Sequence, residues 1–292
     1  MLGKGVLVMH MTLKDDKRTR VVSDKRKKQY WVENSKGKRI SRKFRLHDVD
    51  YYGPYARVTT NYGMYIYHES VDDIVFWDPT FRGSFYKLSD KLYEVIWPDT
   101  GKNSNRQFQR LYNEKGERLL LQYESTRYFS NGMVAFKADG KWGYLDETGK
   151  VVLEPIWNAA GDFNPSGLAI VRFRESEKVA VIDKNGVYVL APSNYSELKF
   201  ISNDLLVARK DRKEGVITVR GEVIVPIQFD NVEIVDGFFK VRNNNKYGLY
   251  DKNGNMVFEC IYPEIIETPD KFVVQDFARQ EVMRQKNVSK RI

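Results

Sequence analysis

Gly140-Lys141-Trp142-Gly143-Tyr144-Leu145-Asp146-Glu147-Thr148-Gly149-Lys150-Val151-Val152 is the stretch whose reading decides the fold. It reads as two short strands joined by a tight turn, with Asp at the start and Gly at the end of the turn. Gly149 marks a slot that recurs at Gly186, Gly221 and Gly254, in steps of 37, 35 and 33 residues. Towards the N-terminus Gly116 and Gly37 fill the same slot, and between them Asp72-Asp73 replaces the glycine. A further 33 residues past Gly254 lies Asn287, and Asn is the next-best residue where positive φ is needed. Turns at intervals of roughly 35 residues are the signature of tandem units that bury their apolar faces by stacking on one another.

Each unit has three recognisable pieces. An apolar strand comes first, as in Gly132–Phe136, Gly167–Val171, Asp204–Ala208 and Gly237–Val241. The Trp-Gly strand follows, clear in Lys141–Tyr144 and Lys246–Leu249 and degenerate in Lys178–Val181 and Lys213–Val216. After the turn comes a third strand, as in Val151–Trp157, Val223–Phe229 and Met256–Tyr262. Short strands joined by Gly and Asp turns predict a three-stranded antiparallel meander per repeat. The first strands are apolar at consecutive positions, which predicts sheets covered on both faces. The fold class is all-β, arranged as a propeller-like ring or as an open β-repeat superhelix.

The units resemble the WG repeat (KWG-type) family of bacterial proteins. Lys141, Trp142, Gly143, Tyr144, Asp146, Gly149, Pro155 and Trp157 carry the likeness in residues 128–160, and Tyr247, Gly248 and Gly254 carry it near the C-terminus. The resemblance implies a repeat architecture and a binding or scaffold role, and it brings no catalytic residues. Three regions follow: degenerate WG-like repeats with a basic N-terminal segment at 1–127, clear WG-type repeats at 128–267, and a half-repeat or short helix at 268–292. The half-repeat is preferred for the last, with Gly5–Met11 as the strand that completes it. Residues 101–106 read as an inserted loop in an enlarged unit.

With 42% hydrophobic and 13% aromatic residues the chain is globular. A single cysteine, Cys260, excludes a disulfide framework and a Cys-based zinc site within one chain. No apolar run approaches the length of a membrane span, and Gly5–Met11 is too short for a signal peptide core. The expected location is the cytoplasm, or outside it if a leader precedes this N-terminus. The net charge of +9 resides entirely in residues 1–50, which hold 15 basic and six acidic side chains.

Candidate chemistry is sparse. Trp142-Gly143 reads as structural, with the indole buried and the glycine permitting close approach. The Asp-x-x-Gly segments lack the alternating ligands of a calcium loop and read as turns. His10, His47 and His68 lie in no catalytic sequence context, and Cys260 reads as a small buried hydrophobe. No catalytic residue, cofactor or metal site is predicted. The functional lead is Lys25, Arg26, Lys27 and Lys28 beside Tyr30 and Trp31, followed by the basic run from Lys36 to Arg45. Cations next to aromatics suit nucleic acid or another polyanion. The leading expectation is a non-enzymatic scaffold that binds another protein, and polyanion binding is the alternative.

Overall fold

The computed structural model describes residues 20–24, 29–78, 83–99, 107–119, 121–173, 178–276 and 279–285. The expectations for Gly5–Met11, Lys25–Lys28, the insertion at 101–106 and the turn at Asn287 fall outside the described residues. Every regular element among them is a strand, and the strands form eight sheets, each a meander in chain order. Sheet 1 holds Arg20–Asp24 and Gln29–Glu33. Sheet 2 holds Leu46–Tyr52, Tyr55–Thr60, Gly63–His68 and Asp73–Asp78. Sheet 3 holds Ser84–Lys87, Leu92–Pro98 and Gln107–Asn113; sheet 4 holds Ser125–Ser130, Met133–Ala138, Lys141–Asp146 and Val151–Trp157. Sheet 5 holds Ala159–Ala160, Leu168–Arg172, Val179–Asp183 and Tyr188–Ser193; sheet 6 holds Glu197–Phe200, Leu205–Lys210, Lys213–Thr218 and Val223–Phe229. Sheet 7 holds Asn231–Val235, Phe238–Asn243, Lys246–Tyr250 and Met256–Tyr262, and sheet 8 holds Ile265–Glu267, Lys271–Asp276 and Arg279–Gln285. No helix of the described residues is long and apolar enough to cross a membrane.

In sheets 2 and 4 to 7 the three strands expected per unit are present, and a fourth precedes them. In sheets 5 and 6 this extra strand is short, Ala159–Ala160 and Glu197–Phe200, so it lacks the alternation that betrays a strand in sequence. Arg279–Gln285 is a strand paired with Lys271–Asp276, and it occupies the stretch where a short helix was the other reading.

The chain divides into two compact units, residues 1–156 and 157–292. Within the first, successive sheets share cores. Val32 and Phe44 of the sheet 1 region meet Ala56, Val58, Tyr65 and Tyr67 of sheet 2. Tyr55, Met64, Ile66 and Phe76 of sheet 2 meet Phe85, Tyr93, Val95 and Tyr112 of sheet 3. Leu92 and Leu111 then meet Val134, Phe136 and Leu145 of sheet 4. Strand Gly63–His68 is buried at all six positions because a sheet covers each of its faces. The second unit repeats the plan: sheets 5 and 6 pack through Val181, Leu190, Leu206 and Ile217, and sheets 6 and 7 through Val216, Phe229, Phe239 and Val241. Sheets 7 and 8 close on Leu249, Phe258, Phe272 and Val274. Here the expectation of two buried faces on the apolar strands is only half met. Strands Leu168–Arg172, Leu205–Lys210 and Phe238–Asn243 alternate, with Ala169, Val171, Leu206, Ala208, Phe239 and Val241 buried and their neighbours partly exposed.

Candidate functional site

The turns come first, because they set the register of everything else. In six of them one side-chain oxygen caps two backbone amides, two and four residues ahead. Asp146 Oδ1 accepts from the amides of Thr148 and Lys150, and Asp183 and Asp251 do the same for their own turns. Asn34, Asn113 and Thr218 play the same part. The closing glycine lies in the left-handed region each time, with φ of 85° at Gly149 and 82° at Gly254. Asp72, in the slot without glycine, also has positive φ, at 55°. The carboxylates are thus occupied by amides, as in an Asx turn. Asp146 is pushed up by partial burial but held lower overall by Thr148 and the turn amides. Among the described residues no three His, Cys, Asp or Glu side chains are grouped to hold a metal ion.

In the first unit the turns also touch one another. Ser35 donates its amide and hydroxyl to Asp72. His68, fully buried, sets Nε2 at 2.9 Å from the Glu114 carbonyl, while its Nδ1 accepts the Val71 amide at 3.3 Å. Burial pushes its pKa down, so the ring is held neutral with the proton on Nε2. His68 is a turn residue in this setting.

Three residues before each turn acceptor lies a position that separates the two kinds of unit. Gly143, Gly215 and Gly248 occupy it in sheets 4, 6 and 7. In sheet 6 the pairing jumps from Glu214↔Phe229 to Val216↔Val225, so Pro226, Ile227 and Gln228 bulge opposite Gly215 alone. A Cβ there would stand 2.5 Å from Val225 O and 2.7 Å from Pro226 O. At Gly248 the bulge is Glu259, Cys260 and Ile261, and at Gly143 the obstacles are Leu153 O and Pro155 N. Ala180 fills the position in sheet 5, and its partner bulge is one residue shorter, Ala191 and Pro192. The glycine of the Trp-Gly pair therefore makes room for a backbone.

In sheets 1, 2 and 3 the same position carries Trp31, Tyr65 and Arg110. Pairing beside Tyr65 is regular, with Tyr65 opposite Trp77, and in sheet 3 the last strand shrinks to a bridge between Tyr112 and Arg118. Aromatic and cationic groups take up the space. Lys43 Nζ sits 5.4 Å over the Trp31 ring, and the Arg42 guanidinium 5.5 Å over Trp77. Trp77 stacks on Tyr65 at 6.2 Å and 17°. Arg110 lies 4.9 Å over Trp97, which stacks on Phe108 at 5.6 Å and meets Phe76 at 5.0 Å. Trp77 and Phe108 are 41% and 48% exposed, so each stack runs from a buried ring, Tyr65 or Phe76, out to the surface. Burial raises the Tyr65 hydroxyl's pKa and the Arg42 charge pulls it back, which places Arg42 within electrostatic reach of the stack. None of Arg39, Arg42, Lys43 and Arg45 is ion-paired among the described residues.

Of the sequence-derived site residues, Tyr30 and Trp31 are described and half-buried. Tyr30 packs against the first core, and Trp31 Nε1 donates to Glu33 at 2.8 Å. Lys25, Arg26, Lys27 and Lys28 lie outside the described residues. Trp142 is half-buried where burial was expected, and so is Tyr247, with Lys240 Nζ 4.9 Å over its ring. Both lie next to the glycine near the start of the strand. Cys260 is half-buried as well, with Sγ 3.2 Å from the Lys246 carbonyl, and partial burial raises its pKa. Arg42, Trp77, Trp97, Phe108 and Arg110 were not singled out individually from sequence. A large side chain three residues before a turn acceptor is the signal that finds Arg110; the other four carry none.

Comparison with known proteins yields one family. Residues 111–142, 142–175, 215–247 and 247–268 each match the WG-containing repeat. No curated protein matches the chain. Among solved structures, it is similar to a eukaryotic initiation factor at 10% identity, with a TM-score of 0.39, over 84% of this chain and 75% of that one. AztD from Citrobacter koseri is similar at 11% identity and TM-score 0.39, over 82% and 78%. Hsv2 from Kluyveromyces lactis is similar at 12% identity and TM-score 0.33, over 93% and 95%.

Proposed function

We propose that this chain, in which residues 111–268 carry four WG-containing repeats, is a non-enzymatic scaffold that binds another protein. One observation carries the reading. The last strand of sheets 4 to 7 is an outer strand, paired on one side only, and around it apolar side chains face solvent. Val152 and Ile156 do so in sheet 4, Tyr188 in sheet 5, Val223 in sheet 6, and Met256 and Ile261 in sheet 7, each between 42% and 58% exposed. Single exposed hydrophobes need no explanation, but recurrence on equivalent edge strands supports surfaces kept for contact. In the second unit an open cleft of about 690 Å³ adds to this, lined by Tyr195, Lys213, Val223, Pro226 and Ile227 among others.

The test is capture from a lysate of the source organism on the immobilised full chain, with a variant carrying Ile156→Lys, Val223→Lys and Ile261→Lys alongside. The reading requires proteins retained by the wild type and lost from the variant. Identical retention by both, or none by either, would refute it.

A further inference from the structure

The geometry points to a second binding surface in the first unit: a site for single-stranded nucleic acid built from Arg42, Lys43, Trp77, Trp97, Phe108 and Arg110. It is independent of the apolar edge strands.

These residues share one end of sheets 1 to 3. In sheet 2 the turn end is marked by His68 opposite Asp73, and Trp77 lies towards the other end, where Met64 faces Asp78. In sheet 3 the turn end is Leu92 opposite Asn113, and Trp97 opposite Phe108 is again at the far end. Arg42 and Lys43 lie between the bridges Glu33↔Arg39 and Tyr30↔Phe44, past the turn at Gly37. Contacts between turns keep the turn ends of the three sheets together, through Ser35 with Asp72 and His68 with Glu114. Hydrogen bonds between Arg45 and Asn61 join sheets 1 and 2 at the opposite end.

The chemistry is specific in two ways. A guanidinium laid over an indole uses its face for the ring and leaves its N–H groups, which lie in its plane, for an anion; a carboxylate partner would have consumed them. Arg42 is seated in this way and has no such partner among the described residues. Phe108 and Trp77 supply exposed ring surface beside the cations, which is the pairing of phosphate contact and base stacking that single strands need. A duplex hides its base faces and would use the cations alone. At the position of Arg110, sheets 4 to 7 carry only glycine or alanine, so the sheet itself does not require a cation there.

The experiment is fluorescence anisotropy of the full chain with fluorescein-labelled 20-mers of oligo(dT) and oligo(rU), at 50 and 200 mM NaCl, with a mixed-sequence duplex for comparison. Phe108→Ala removes only an exposed ring and is expected to weaken binding about fivefold or more, the lower bound for loss of one stacked base. The double variant Arg42→Gln, Lys43→Gln is expected to lower the slope of log K against log salt by about 1.4, for two phosphate contacts to a single strand. Lys184→Gln, an exposed charge in the second unit, is the control and should change nothing. No binding at 50 mM NaCl overturns the proposal, as does a preference for the duplex. Binding weakened by the charge variant but not by Phe108→Ala would mean a plain polyanion surface and also overturns it. Binding unchanged in all variants would place the site elsewhere.

Discussion

Gly215→Ala tests the claim that the glycine of the Trp-Gly pair exists to admit a neighbouring strand. Its φ is not in the left-handed region, so alanine meets no backbone strain there. The obstacles are all main chain: Val225 O at 2.5 Å, Pro226 O at 2.7 Å and Ile227 Cα at 2.8 Å from the added Cβ. No side chain can swing aside, so Val223–Phe229 must withdraw or lose part of its pairing. Overpacking of this kind costs about 1–3 kcal/mol, and backbone obstacles put it at the upper end. Alanine also stiffens the unfolded chain, which returns roughly 0.5 kcal/mol. A net loss of about 2.5 kcal/mol corresponds to roughly 5–10 °C in the melting of a domain of this size. Differential scanning calorimetry is the assay, because two compact units need not melt together. Deleting Ile227 in the Gly215→Ala background shortens the bulge to the two residues that face Ala180 in sheet 5, and should recover much of the loss. Gly215→Ala melting within about 1 °C of wild type would refute the reasoning.

Four further outcomes follow from the same geometry. Asp183→Ala strips the acceptor from the amides of Asn185 and Val187 and should cost about 1 kcal/mol in urea unfolding, whereas Asp183→Asn should be neutral, since Asn34 and Asn113 already cap their turns. Trp142→Ala should cost about 1.5–2.5 kcal/mol, half the 3–5 kcal/mol of a fully buried aromatic, because the indole is half-buried; a loss in the full range would mean that it is core. The Tyr65 hydroxyl is buried with no hydrogen-bond partner among the described residues, so Tyr65→Phe should leave the urea midpoint unchanged or raise it. For pH, His68 and Glu94 act with opposite sign. Burial holds the folded-state pKa of His68 below its unfolded value, so its contribution is lost as pH falls below the ordinary histidine range. Burial holds Glu94 above its unfolded value despite hydrogen bonds from Thr126 and Tyr123, so its contribution is present in acid and lost as pH rises through the raised value. Glu94→Gln should therefore gain on wild type between pH 5 and pH 8 in urea midpoint. An equal difference at both pH values would refute that assignment.

The turns were the most legible feature in sequence because turn chemistry is local. Asp146 and Gly149 need only each other and the amides between them, so their spacing carries the whole motif. The slot at Asp72 could be found for the same reason, even without glycine. The short first strand was not legible, because two residues such as Ala159–Ala160 are held as a strand by pairing with Arg172 and Val171 and not by any pattern of their own. Trp142 was read as buried from its size, but exposure is set by tertiary packing that size does not report, and the indole is half-buried. The basic N-terminal segment was visible as charge. Which cations stand over which rings was not, since Arg42 meets Trp77 across 35 positions of sequence.

Repetition itself sorts the residues that remain. A feature that recurs from unit to unit is accounted for by the unit: the turn acceptor is Asp, Asn or Thr, and the work is the same. The Trp-Gly glycine falls into this class, because each occurrence faces a backbone bulge and the one alanine faces a shorter bulge. Trp31, Tyr65 and Arg110 do not. They occupy that position with large side chains, the strand beyond bulges only at Val75 in sheet 2 and is reduced to a bridge in sheet 3, and stacked rings with cations over them lie beside them. Stacking of the sheets demands none of this, as sheets 5 to 8 stack without such ring stacks. The exposed rings of Trp77 and Phe108 and the unpaired charges of Arg42 and Lys43, towards one end of three successive sheets, are where selection for binding would act.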